Sequence, residues 1–237
     1  MKSNQTNVRE KVVVLTGSGI SAESGLQTFR DHGGLWAGQK VEDVATPEAF
    51  KRDPQKVLDF YNQLRKQMLA ARPNEAHKAL VRLEEFYQVD VITQNVDDLH
   101  ERAGSSHVVH LHGELLKARS SVNEQVIVDC FSDQTLEDVD ADGFLMRPYI
   151  VWFGEPVPLF DEAIRLTQQA DKVIVIGTSL QVYPAASLLH YAAADATITV
   201  VDPNPPQGLN NIEVICAPAQ VGVASLVNSL IESKNDK

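Results

Sequence analysis

Lys11-Val12-Val13-Val14-Leu15 is a short unbroken apolar run rich in β-branched residues, and Thr16-Gly17-Ser18-Gly19-Ile20-Ser21-Ala22 follows it directly. Such a run, without polar alternation, is the pattern of a strand buried on both faces of a parallel sheet. A glycine-rich turn leaving that strand lets backbone N–H groups close around a diphosphate, because Gly17 and Gly19 carry no Cβ. Gly17-x-Gly19-x-x-Ala22 alone also fits a plain strand-to-helix turn. The acid that a dinucleotide fold places about 20 residues on, at the end of its second strand, is missing. Glu42 and Asp43 lie in a stretch, Gln39 to Pro47, that lacks the pattern of a buried strand. Ser24 to Asp31 instead continues as a polar loop with one aromatic, Phe29, and one guanidinium, Arg30, a plausible flap over a cofactor's reactive end.

Beyond that loop strand and helix patterns alternate. Val57, Tyr61, Leu64 and Met68 make one apolar stripe, so 47–72 reads as a helix ended by Pro73. Asn74 can cap a second helix through about residue 85. Strands are expected at 89–93, 108–111, 172–176, 197–202 and 213–216, and helices at 160–170, 184–193 and 219–231. Residues 114–146 break the pattern with a polar, acid-rich segment, after which the sheet is expected to resume at 148–152. The economical architecture is α/β, a doubly wound, Rossmann-like parallel sheet in one domain over 8–235, with a small insertion at 114–147.

Composition narrows the function classes. A formal net charge of −11 over 237 residues argues against non-specific nucleic-acid binding and suits a basic partner. No apolar run approaches the roughly 20 residues that span a bilayer, and the opening 1–7 has no apolar core of a secretion signal. With only Cys130 and Cys216, far apart, a disulfide scaffold is not expected and a reducing, cytoplasmic compartment is.

In open α/β sheets ligands gather outside the carboxyl ends of the strands. Gln94, Asn95 and Asp97 follow one such end, His110 and His112 another, and Gly177-Thr178-Ser179 a third, where a second close-approach turn is expected. An imidazole with an ordinary pKa near ~6.5 can accept a hydroxyl proton at neutral pH, but His110 and His112 lie two apart and spacing does not choose between them. Asn95 and Asp97 can hydrogen-bond ribose hydroxyls or a water; Asp97 can equally start the next helix.

Gly17 to Asp31, with Gly34-Leu35-Trp36, resembles the signature of the sirtuins, the NAD-dependent protein deacylases. The likeness continues through Thr93-Gln94-Asn95-Val96-Asp97, His110-Leu111-His112-Gly113, Val151-Trp152-Phe153-Gly154-Glu155 and Gly177-Thr178-Ser179, in the family's order and over nearly the whole chain from residue 11 to about 232. It implies NAD as cofactor, with Gly17, Ser18, Gly19, Ala22, Glu23, Thr28, Phe29, Arg30, Trp36, Gln94, Asn95, Asp97, Gly177, Thr178, Ser179, Asp202, Asn204 and Ala219 around it. Phe29 would shield the reactive ribose face and Arg30 order the loop. It selects His112 as the base that deprotonates a ribose hydroxyl, with Asn95 and Asp97 beside it. Many members carry Asn at the position of Asp202; a carboxylate still accepts from ribose hydroxyls.

The resemblance also implies acyl-lysine proteins or peptides as substrates, held at Val151, Phe153 and Gly154 by main-chain pairing at a sheet edge, with nicotinamide and O-acyl-ADP-ribose as products. Mono-ADP-ribosyl transfer and a non-catalytic NAD-sensing module are the alternatives. Two departures stand out. Sirtuins commonly carry a structural zinc on two C-x-x-C pairs, and this chain has only Cys130 in that interval, so no metal is expected. Asp138-x-Asp140-x-Asp142-Gly143 opens like a calcium loop, but position twelve is Tyr149, and a solvated acidic loop is the expectation. Members that remove succinyl or malonyl groups resemble this chain at Ala45 and Tyr61 but place Arg three residues after that Tyr. Here Leu64 stands there, and Arg65, one residue further, is the candidate to meet an acyl carboxylate. Acetyl, succinyl and malonyl all stay open at this point.

Overall fold

Val12 and Val14 pack into one apolar cluster and Val13 and Leu15 into another, so the first strand is sandwiched between two layers. That is why its sequence shows no polar alternation. The computed structural model describes residues 9–27, 35–36, 39–206 and 212–235. Along the chain the strands are β1 (Lys11–Thr16), β2 (Leu35–Trp36), β3 (Gln39–Lys40), β4 (Gln88–Thr93), β5 (Val108–His110), β6 (Gly113–Ser120), β7 (Ile127–Asp129), β8 (Met146–Ile150), β9 (Lys172–Ile176), β10 (Thr197–Val201) and β11 (Glu213–Ile215). The helices are α1 (Gly19–Ala22), α2 (Val41–Val44), α3 (Pro47–Arg52), α4 (Pro54–Ala70), α5 (Glu75–Leu83), α6 (Leu99–Ala103), α7 (Phe160–Gln168) and α8 (Ala219–Asn235), with a 3-10 helix over Ala185–Tyr191.

Six parallel strands form the main sheet in the order β11-β10-β9-β1-β4-β5. One face is covered by α5 and α8, through Leu80, Leu83, Val223 and Val227. The other is covered by α7 and the 3-10 helix, through Ala163, Leu166 and Leu188. From β1 the chain proceeds through β4 and β5 to one side and later through β9, β10 and β11 to the other. The strand order thus reverses between β1 and β9, and a crevice opens outside their carboxyl ends.

Three local expectations are corrected. The stripe over 47–72 is two helices, because Asp53 ends α3 and starts α4: its carboxylate accepts from Lys56 N at 3.0 Å, with Pro54 at the first helical position. The segment at 184–193 forms a 3-10 rather than an α-helix. Residues 146–150 do not rejoin the main sheet. They pair antiparallel with β6, which also pairs with β7, so the insertion is a separate three-stranded sheet in the order β7-β6-β8. Its strands run from 113 to 150, a little wider than the composition break. No helix among the described residues is long and apolar enough to cross a membrane.

Candidate active site

The turns after β1 and β9 press directly on each other. Gly17 N donates to Ile176 O at 3.0 Å and Gly19 N to Gly177 O at 2.9 Å. A Cβ on Gly19 would stand 2.5 Å from Gly177 Cα, and one on Gly177, whose φ is +59°, 2.5 Å from Ile20 N. The glycines are therefore demanded by contact of turn on turn. The N–H groups of Gly17 and Gly19 are both committed to carbonyls. What the turns contribute is a floor without side chains.

Above that floor lies a cleft of about 540 Å³, within the size range of small-molecule and cofactor sites. Gly17, Ser18, Gly19, Ala22 and Glu23 line it from the β1 turn, Gly177, Thr178 and Ser179 from the β9 turn, and Asp202, Asn204 and Ala219 from the β10 end. Gln94, Asn95, Asp97 and His112 line its middle, and Ala45, Tyr61, Val151, Phe153 and Gly154 its far end. The two turns are tied to the β4 end by Gln94 Nε2, which donates to Thr178 Oγ1 at 3.1 Å. Glu23 Oε2 accepts from Gln220 N at 2.8 Å, joining the first turn to α8. Asp202 is buried, and its Oδ1 accepts from Asn204 N at 2.7 Å. Thr28, Phe29 and Arg30 lie outside the described residues. Trp36 is described only as backbone, paired with Gln39 in the β2–β3 ladder.

His110 and His112 separate cleanly. Strand β5 ends at His110, so the two-residue pleat does not extend to His112. The His110 ring is buried with Nδ1 3.1 Å from Asn95 O and Nε2 2.7 Å from Glu101 Oε1. Both acceptors require N–H, which makes this ring an imidazolium; burial opposes the charge, but the Glu101 carboxylate outweighs it and the pKa rises. His112 lines the cleft and donates Nδ1–H to Gln94 O at 3.0 Å, leaving the lone pair on Nε2. Burial pushes its pKa below 6.5, with the Gln94 bond opposing, so it is neutral at pH 7. The next residue fixes this placement: Gly113 has φ +83°, and a Cβ there would overlap Tyr149 O on β8.

Ser21, unmarked in the sequence reading, joins Asn95 to Asp97. Its hydroxyl donates to Asp97 Oδ2 at 2.9 Å and lies 3.2 Å from Asn95 Nδ2, which also donates to Gly17 O. Asp97 Oδ1 accepts from Leu99 N at 3.1 Å, so this carboxylate serves both as a turn former and as a cleft group. Burial raises its pKa, with the Leu99 and Ser21 bonds opposing. The signal for Ser21 was available, since it falls one helical turn after Gly17 in the same block.

At the far end Trp152 Nε1 donates to Tyr61 Oη at 2.9 Å. The Arg147 guanidinium lies 3.3 Å from the Trp152 ring centroid and pairs with Glu155 Oε1 at 2.6 Å. Val151, Phe153 and Gly154 stand beside the cleft but not in a strand. The amides of Val151, Trp152 and Phe153 donate to His112 O, Glu155 Oε2 and Ala45 O, at 2.9, 2.8 and 3.0 Å. These three N–H groups face the protein and hold the segment between His112 and Ala45.

Arg65 is corrected as well. Only 1% exposed, it is absent from the cleft wall. Its Nε donates to Leu115 O at 3.1 Å, Nη1 to Asn62 Oδ1 at 2.7 Å and Ser132 O at 3.2 Å, and Nη2 to Gln134 Oε1 at 3.1 Å. One residue is about 100° of helix rotation; here that step turns Leu64 to the cleft and Arg65 to the small sheet. Among the described residues no group of three His, Cys, Asp or Glu could hold a metal. In the acidic loop Asp138 Oδ2 accepts from Thr135 N and Asp140 Oδ1 from Asp142 N and Phe144 N.

The Sir2 family model matches residues 17–184, which contain both glycine turns, His112 and the small sheet. The chain belongs to the Sir2 family. It is 58% identical over 200 residues to an NAD-dependent protein deacylase of Aggregatibacter actinomycetemcomitans, covering 84% of this chain and 96% of that one. With an NAD-dependent protein deacylase of Helicobacter pylori it shares 52% over 225 residues, 94% of this chain and 96% of the relative. Among solved structures it resembles a Sir2 homologue mutant in complex with ADP-ribose, at TM-score 0.90 and 38% identity over 97% of this chain and 95% of the other. It also resembles the complex of a Sir2 protein with a p53 peptide and NAD+, at TM-score 0.77 and 31% identity over 97% and 95%.

Proposed function

We infer that this Sir2 chain is an NAD-dependent protein-lysine deacylase that yields deacylated lysine, nicotinamide and O-acyl-ADP-ribose. The observation that carries the reading is the neutral His112 ring, with its Nε2 lone pair, on the wall of a cleft that is polar at one end and apolar at the other. The polar end suits a dinucleotide: its glycine floor carries no side chains, and the buried Asp202 carboxylate with Asn204 can accept from ribose hydroxyls. When bound, NAD supplies an electrophilic ribose carbon, C1′, from which nicotinamide can leave as the acyl oxygen of the substrate attacks.

The chain's own groups do the rest. His112 Nε2 accepts the proton of a ribose hydroxyl, and the Gln94 carbonyl steadies the imidazolium that forms, through Nδ1–H. Asn95, Asp97 and their Ser21 bridge would present polar groups to the bound ribose and orient its hydroxyls. Tyr61, Trp152 and the Val151–Gly154 segment wall in the acyl-lysine and exclude water from the amide under attack. A cytoplasmic setting agrees with two cysteines that form no disulfide, Cys130 buried and Cys216 exposed.

The test is to incubate the full chain with NAD and an acyl-lysine peptide and to follow nicotinamide and O-acyl-ADP-ribose together. His112→Ala is expected to bind NAD and to release neither product. Peptide-linked or enzyme-linked ADP-ribose in place of O-acyl-ADP-ribose would move the assignment to ADP-ribosyl transfer.

A further inference from the structure

The apolar end of the cleft is built by the third core cluster, where α4 meets the small sheet. Tyr61, Leu64 and Met68, at i, i+3 and i+7 on α4, line it together with Ala45, Leu115 and Ile150. Two turns of helix, about 10 Å of axis, separate Tyr61 from Met68. Ala45 adds only a methyl group to this lining, so the methylenes of an acyl chain longer than acetyl would meet mostly apolar side chains there.

The charge of the wall is equally definite. Among the described residues lining the cleft there is no Lys or Arg, whereas Glu23, Asp97, Glu155 and Asp202 are all there. Two guanidiniums near this end, among the described residues, are committed elsewhere: Arg65 to four neutral acceptors beneath the small sheet, Arg147 to Glu155, Ile150 O and the Trp152 face. Burial raises the Tyr61 pKa, so the phenol stays neutral. An acyl carboxylate entering here would be desolvated without a cation to meet it.

We propose that this cleft selects neutral, apolar acyl chains longer than acetyl, and that Leu64 is the residue that sets the choice. The inference rests on the deacylase reading and names its substrate class. Each methylene that stays in the cleft raises kcat/KM by up to about fourfold, from the ~0.8 kcal/mol of a buried methylene.

The test uses the full chain, NAD and one lysine peptide carrying an acetyl, butyryl, hexanoyl, octanoyl or succinyl group, with nicotinamide release as readout. Butyryl and succinyl share a four-carbon length and differ in the terminal carboxylate. The expected order has hexanoyl above butyryl above acetyl in kcat/KM, and succinyl at least about a hundredfold below butyryl. Leu64→Arg is expected to narrow the butyryl-to-succinyl ratio by about tenfold or more, mainly through KM. Met68→Phe is expected to lower the octanoyl-to-acetyl ratio by shortening the cleft. Succinyl within a few-fold of butyryl in the wild type, or acetyl faster than hexanoyl, would overturn the proposal. If no acyl peptide releases nicotinamide, the deacylase reading is what has failed. Binding of the same five peptides, by fluorescence anisotropy, then decides the acyl inference, which falls if succinyl binds as tightly as butyryl.

Discussion

The Nδ1–H of His112 donates to the carbonyl of Gln94 across 3.0 Å, which leaves the ring one tautomer with its basic nitrogen at Nε2. Because a carbonyl can only accept, the bond decides the protonation pattern without a charged partner. Burial then lowers the pKa, and the base is ready below neutral pH.

The pH profile follows. A ring whose pKa lies below 6.5 is deprotonated across the neutral range, so kcat/KM should be flat near pH 7 and fall only on an acid limb below pH 6.5. His112→Gln keeps a donor toward Gln94 O but lacks a titrating base. It is expected to lower kcat/KM by about 10²–10⁴-fold and to remove that limb. An acid limb that persists in the variant would assign it to another group.

Ser21→Ala tests the bridge between Asn95 and Asp97. Removing the hydroxyl takes one donor from a carboxylate whose pKa burial already raises, and leaves a buried acceptor short of a partner, a cost of about 1–3 kcal/mol. Activity is expected to fall through kcat more than through KM. An Asp97→Asn, Ser21→Ala double-mutant cycle should show coupling between the two positions.

Arg65 carries a different expectation. It is a buried cation whose four acceptors among the described residues, Leu115 O, Asn62 Oδ1, Ser132 O and Gln134 Oε1, are all neutral and tie α4 to the small sheet. Burial pushes its pKa down, yet the bonds keep the guanidinium in place. Arg65→Met would strand those oxygens and should cost about 3 kcal/mol of stability, read as a lower denaturant midpoint. The succinyl-to-acetyl rate ratio should not move. A ratio that changes several-fold at unchanged stability would return Arg65 to acyl recognition.

Much of this was legible in the sequence, and the parts that were not share a cause. The sheet strands declared themselves because burial on both faces removes polar residues from Val12 to Leu15 and from Val173 to Ile176. The cleft groups could be placed because they sit directly after strand ends. What one chain pattern cannot carry is the direction of a side chain within a helix or beyond a strand end. Leu64 and Arg65 differ by one step of rotation, and His110 and His112 by whether the pleat continues; tertiary packing decides both. The small sheet hid for a related reason: Val122, Ile127, Val128 and Phe131 are exposed, so its alternation is not that of a half-buried strand. The break at Asp53-Pro54 stayed hidden because the whole stripe, Val57, Tyr61, Leu64 and Met68, lies within α4 and carries no information about 47–52.

The last expectation concerns stability rather than catalysis. His77 and His100 are buried side by side behind the β1 end, ring centroids 4.9 Å apart, with His77 Nδ1 accepting from Asn74 N and His100 Nε2 3.1 Å from Thr16 Oγ1. Burial lowers His77 to about 4, with Glu101 opposing, and takes His100 well below 6.5, with His77 and His110 adding to the effect. Both are depressed bases, so the unfolded chain binds protons more readily than the folded one as pH drops. Folded-state stability is therefore intact above pH 6.5 and declines from there toward pH 4, by about 1.4 kcal/mol per pH unit for each group while it remains neutral in the fold. His110, whose pKa is raised by Glu101, has the opposite sign: its contribution is present below pH 6.5 and fades as pH rises through its folded value. Denaturant unfolding of the wild type and of His77→Gln at pH 7.5, 6.0 and 5.0 separates these terms. The variant, lacking one depressed base, should lose less stability between pH 6.0 and 5.0 by roughly 1 kcal/mol. Equal slopes in the two proteins would mean that His77 is already protonated in the fold.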